Sequence, residues 1–159
     1  MSNETKLGGE DERKFDRLHI RKSDRSEYTR LLGRDSLFAG KDNKDLFMMA
    51  MITGFYNKNR ITLEGQKEGY ILISYLSPKE LSVIRAIAIA EEGNLDILLD
   101  KERLHGIIEE YAAGGIGLLK DEVLGSDLKT YIRLLESKLV DEFDKLELEI
   151  NKPENFDTN

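Results

Sequence analysis

The sequence predicts a mainly α, single-domain protein: a helical bundle with one to three short β-strands near its N-terminal half. Three observations carry that prediction. Apolar residues recur at three- and four-residue spacing through most of the second half of the chain, the mark of helices with one buried face. Only one segment, residues 17–22, alternates cleanly in the manner of a half-exposed strand. And 159 residues with only two prolines, Pro78 and Pro153, make one domain whose interior is little interrupted.

The elements follow in order. In Arg17-Leu18-His19-Ile20-Arg21-Lys22, Leu18 and Ile20 fall on one face and Arg17, His19 and Arg21 on the other. Ser23 then offers an N-cap to a helix with Tyr28, Leu31 and Leu32 on one side, ending near Gly33. A loop over 34–41 turns Leu37 and Phe38 inward. Asp42 caps a second helix carrying Leu46, Phe47, Met49, Ala50, Ile52 and Thr53, which ends near Gly54 to Asn57. Residues 69–76 are rich in β-branched and aromatic side chains; strand and apolar helical turn both stay open there. Ser77-Pro78-Lys79-Glu80 is a strong helix start: serine caps, proline takes the first position, and glutamate bonds back to the cap. The helix it opens is apolar almost all round, from Val83 to Ala90, and is expected at the centre of the domain. Gly93 ends it. A short amphipathic piece covers 95–100. A long helix over about 102–124 carries Leu104, Ile107, Ile108, Tyr111, Gly115, Leu118 and Leu119 on one stripe. Ser126 caps a last helix with Leu128, Tyr131, Ile132, Leu135, Leu139, Phe143 and Leu146 at near-heptad spacing. The folded domain is expected over 17–148, between disordered tails at 1–16 and 149–159.

Composition excludes several classes. Cysteine is absent, which removes disulfides, thiol catalysis, zinc fingers and iron–sulfur clusters. No run approaches the roughly 18 apolar residues of a membrane span, and the first residues lack the apolar stretch of a secretory signal. The net charge of −7 hides a split. Residues 1–67 hold 14 basic and 11 acidic side chains; residues 68–159 hold 10 and 20. The sharpest basic stretch, 13–34, contains Arg13, Lys14, Arg17, Arg21, Lys22, Arg25, Arg30 and Arg34 against Asp16, Asp24 and Glu27. Such asymmetry marks one face for a polyanion or, more blandly, a solvated surface laced with ion pairs.

No catalytic constellation emerges. His19 and His105 have no second histidine at metal-ligand spacing, and no nucleophile elbow is present. Asp96 and Asp100, Glu91-Glu92 and Glu109-Glu110 read as solvated acidic faces. Asp42-Asn43-Lys44 and Glu136-Ser137-Lys138 match the D/E-x-K tripeptide of nucleases only as chance does. Gly114-Gly115-Ile116-Gly117 follows a helix rather than a strand, so it reads as a kink or a close helix approach, not a phosphate loop. Met48, Met49 and Met51 read as core filling, with an adaptable binding surface as the sharper alternative. Arg85 stands alone on its apolar helix, paired internally or aimed into a pocket. The opening strand–helix–helix order is similar in pattern to ribbon-helix-helix regulators, in which strands of two chains pair and enter the DNA major groove.

Four patches of this sequence resemble the dnd-system-associated protein 4 family, also called DNA phosphorothioation-associated protein 4. They are Ile20-Arg21-Lys22 with Tyr28 and Leu31-Leu32; Phe38, Lys44 to Ala50, Gly54-Phe55 and Arg60; Ala86-Ile87-Ala88 through Glu91-Glu92-Gly93 to Leu98-Leu99-Asp100; and Glu109 to Ile116 with Leu118-Leu119. They span about residues 18–124. The resemblance implies a prokaryotic, cytoplasmic protein encoded beside genes for sulfur modification of the DNA backbone, a setting of defence and restriction-modification. It brings no catalytic motif and no cofactor. The resulting expectation is a non-catalytic accessory protein that meets DNA through Arg17, Arg21, Lys22, Arg25, Lys44, Lys58 and Arg60. Implied partners are DNA and other defence-system proteins, with no membrane; a homo-oligomer stays open. The alternatives are a module bridging defence subunits through its last or Met-rich helix, a ribbon-helix-helix-like regulator, and a metal-dependent nuclease built from scattered acids.

Overall fold

A computed structural model describes residues 15–124 and 128–150. The order of elements is β1 (Arg17–Arg21), α1 (Arg25–Leu31), α2 (Asn43–Tyr56), β2 (Lys67–Leu72), α3 (Pro78–Glu92), α4 (Lys101–Leu124) and α5 (Leu128–Ile150), with 3-10 turns at Lys22–Asp24, Ile73–Tyr75 and Leu95–Leu99. The chain is thus a mainly helical, single compact domain with a two-stranded antiparallel sheet in its N-terminal half. Tail residues 1–14 and 151–159 and the expected cap at Ser126 lie outside the described residues.

The local signals act as read. Ser77 Oγ accepts the Glu80 N–H at 3.3 Å, and the Glu80 carboxylate accepts the Ser77 N–H at 2.6 Å. At α2 the Asp45 carboxylate accepts the Asp42 N–H at 3.1 Å. Gly93 closes α3 with φ of 76°, a left-handed conformation that costs glycine little. Ser23 does not cap α1. It falls inside the 3-10 turn, and Asp24 at the cap position spends its carboxylate on Arg21 instead, at 2.8 Å to both Nε and Nη2.

Segment 69–76 divides. Its first part completes β2, and its second part is the 3-10 turn. β1 pairs antiparallel with β2, from Arg17 opposite Leu72 to Arg21 opposite Lys67, with a bulge between Leu18 and His19. β1 therefore finds its strand partner within its own chain, not in a second one as a ribbon-helix-helix arrangement requires.

The centre of the domain is the α2–α4 pair, not α3. Only Ile84, Ile87 and Ala88 of α3 are buried; Arg85, Ala86 and Ala90 face solvent, and Val83 is exposed. A largely apolar helix can sit at the edge when several of its outward positions are alanines, here Ala86 and Ala90, that lose little by meeting water. α2 and α4 approach closely because glycine lines both. A Cβ on Gly115 would overlap the Ala50 carbonyl, one on Gly54 the Tyr111 carbonyl, and one on Gly114 the Asn59 carbonyl. The glycine-rich stretch is a helix-packing device. Met48 and Met51 are buried in the core there, while Met49 is partly buried against it and borders a surface hollow.

Candidate nucleic-acid interface

The seven cations read as a DNA face do not form one free basic surface. Most are met by carboxylates. Arg21 is clamped by Asp24, itself buried. Arg25 lies 3.2 Å from Glu68 and over the Tyr70 ring, 5.4 Å from its centroid. Lys44 reaches Glu80 at 3.3 Å. Arg60 bridges Glu110 at 2.5 Å and Glu91 at 2.7 Å, fastening the loop after α2 to α3 and α4. Tyr111 donates to the same Glu91, and burial together with that bond pushes its phenol up to about 12. Arg17 stands 3.8 Å from its neighbour Asp16, a loose contact with both side chains half exposed. Lys22 donates to the neutral Gln66 at 2.9 Å. Lys58 is exposed with φ of 53°.

Arg17 and Lys44, distant in sequence, line one cleft of about 540 Å³ with Asn43, Tyr70 and Tyr75. Tyr70 is packed on Tyr28 with ring centroids 4.7 Å apart, and its burial raises it to about 12. Tyr75 is largely exposed. Lys58 and Arg60 line a separate hollow with Tyr56 and Tyr111. Exposed cations with no carboxylate in ion-pair reach among the described residues are Lys22, Arg30, Arg34, Lys41 and Lys58 in the first half of the chain and Lys79, Arg85, Lys101 and Arg133 in the second. The first four of these run along the turn before α1, α1 itself and the loop after it.

A second constellation was not visible in the sequence. Glu109 of α4 is only 4% exposed. Its Oε1 accepts the His19 backbone N–H at 2.9 Å and stands 2.9 Å from His19 Nδ1. A carboxylate there only accepts, so Nδ1 carries the hydrogen of that contact. Lys67 Nζ lies 3.6 Å from Oε2. One turn earlier on α4, His105 packs edge-on against Phe15, and burial lowers its pKa against the pull of Glu109. These residues, with Arg17, line a cleft of about 260 Å³. The i, i+4 spacing of His105 and Glu109 was the only available signal; nothing in the sequence joins either to residue 19. Glu109 is thus not part of a solvated acidic face, as its pairing with Glu110 suggested. Its arrangement ties β1 to α4 and buries an acid without leaving it unpaired. Among the described residues no group of three or more histidines and acids is arranged to hold a metal ion, and no helix is long and apolar enough to cross a membrane.

A family model described as DNA sulphur modification system-associated protein 4 matches residues 23–154. The match covers most of the chain. It includes α5, which the four patches of resemblance do not reach, and it begins just after β1. No curated protein and no solved structure matches the chain. The chain belongs to the DNA sulphur modification system-associated protein 4 family, and with it to the setting of a DNA sulphur modification system.

Proposed function

We propose that this protein is a non-catalytic accessory component of its sulphur modification system that contacts the DNA backbone through segment 17–34. One observation supports this above the others. Lys22, Arg30 and Arg34 are exposed and have no carboxylate partner among the described residues, in a protein that neutralises most of its other N-terminal cations. A cation already held by an acid must give up that partner to reach a phosphate. A free one gains the full benefit of releasing counterions from DNA. The contact is therefore expected from Lys22, Arg30 and Arg34, with Lys41 and Lys58 in support. Arg17 and Lys44 contribute less, because a phosphate entering their cleft competes with Glu80. Arg21, Arg25 and Arg60 serve mainly to hold the fold. Phosphate contacts of this kind position a protein on DNA and carry no sequence information.

Fluorescence-anisotropy titration with plain and phosphorothioate duplexes at two salt concentrations tests the proposal. Binding should weaken steeply with salt. The triple variant Lys22→Ala, Arg30→Ala, Arg34→Ala should weaken it on both duplexes and lower the salt slope by about 1 per lost contact. Arg17→Ala with Lys44→Ala should do less. A chain that binds neither duplex at low salt is not a DNA-contacting protein.

A further inference from the structure

We propose that α5 is a self-association helix on which a second copy of this chain docks antiparallel, with the two-fold axis passing near Leu139. The first observation is exposure. Ile132, Leu139, Phe143 and Leu146 are 42%, 71%, 62% and 54% exposed, on a helix whose polar positions are well supplied with charge. Leu135 of this stripe packs on the body of the domain, and one side of Leu139 borders a hollow shared with Met49 and Ile52 of α2. Lys138 to Glu122 at 3.0 Å and Tyr56 to Glu142 at 2.8 Å are polar contacts that hold the helix there. An apolar stripe this long, left to water, marks an interaction surface.

The second observation is symmetry. Ile132 and Leu146 stand seven residues either side of Leu139, and Phe143 stands opposite Leu135, which is half-buried at the margin of the body, four residues either side. Reversing the helix therefore superimposes the stripe on itself. An isologous interface needs that property: each patch must complement its own copy. The 3-4-4-3 spacing also follows an 11-residue repeat, which keeps the stripe nearly straight along a helix of about 35 Å and lets two copies meet over their length.

The third observation decides direction. Residues 128–138 hold three basic side chains and one acid; residues 139–150 hold five acids and one base. A parallel pair would set acidic half against acidic half. An antiparallel pair sets the basic half of each copy against the acidic half of the other, which favours one register and suppresses the alternative.

Light scattering coupled to size exclusion, over a concentration series, reads the first part. The full chain should run at twice its 18.2 kDa mass, and Leu139→Glu with Phe143→Glu should return it to one chain mass with unchanged far-ultraviolet circular dichroism. Cysteine cross-linking reads direction, and the absence of native cysteine makes it unambiguous. Leu139→Cys alone should form an intermolecular disulfide on oxidation. Ile132→Cys and Leu146→Cys should each stay uncrosslinked alone and cross-link when mixed, since the bond needs Cβ atoms about 4 Å apart. A chain that stays at single mass throughout overturns self-association and leaves the stripe to a different protein. Self-cross-linking of both Ile132→Cys and Leu146→Cys overturns the antiparallel arrangement. Either result leaves DNA binding by segment 17–34 unaffected, so the two proposals fail separately.

Discussion

Gly115 and Gly117 are two residues apart on α4 and have opposite reasons to be glycine. A Cβ at Gly115 would overlap the Ala50 carbonyl and crowd the Gly54 nitrogen, both rigid backbone. A Cβ at Gly117 meets nothing within 4 Å. Gly115→Ala should therefore force α2 and α4 apart at a cost of about 1–3 kcal/mol or more. Gly117→Ala should stabilise by about 0.5–1 kcal/mol, because alanine is the better helix residue and clashes with nothing. Urea unfolding monitored by circular dichroism separates the two. Glycine's presence was legible in the sequence, and so was the idea of a close approach. Which of the glycines carries it was not, since that depends on the neighbour, and the neighbours come from α2.

At the scale of elements, legibility followed locality. The start of α3 was readable because cap, proline and returning glutamate sit within four residues. Its energetics are correspondingly local. Ser77→Ala should cost about 0.5–2 kcal/mol. Glu80 is held below its ordinary value of 4.5, first by the Ser77 backbone N–H and then by the Ser77 side chain, with Lys44 adding to the shift. A carboxylate so depressed stabilises the fold above that value, and the contribution is lost as pH falls through the folded-state value below it. Glu80→Gln should accordingly be less stable than the parent at neutral pH, with the deficit closing as pH drops below 4.5 in melting curves. By contrast, segment 69–76 was undecidable alone, because its strand half is fixed by pairing with β1 some fifty residues earlier. The edge position of α3 was illegible for the same reason: apolar composition permits burial, and only packing assigns it.

The whole molecule divides into a glycine-closed body and a helix set against it. Among the described residues the buried core ends at Val123, and α5 adds Leu135 to its margin. Removing residues 125–159 should leave a body that still unfolds cooperatively, at a cost of about 1–2 kcal/mol for uncovering that margin. Thermal melts of the truncated and full chains, both dilute enough to be monomeric, check this. The charge split was legible at this scale as a count. The pairing of charges was not: Arg60 meets acids 31 and 50 residues away, and Glu109 meets His19 across 90. Composition located the basic segment, but distances decided which of its cations are spent on the fold.

That 90-residue contact has a consequence for how the chain is made. β1 is made before both of its partners: its strand partner follows about fifty residues later and Glu109 later still. Closing such loops costs entropy that only the finished α2–α4 pair can offset. During synthesis, then, Leu18 and Ile20 wait for their full cover until α4 has emerged, so a strand made before α2 and α4 docks after they pair.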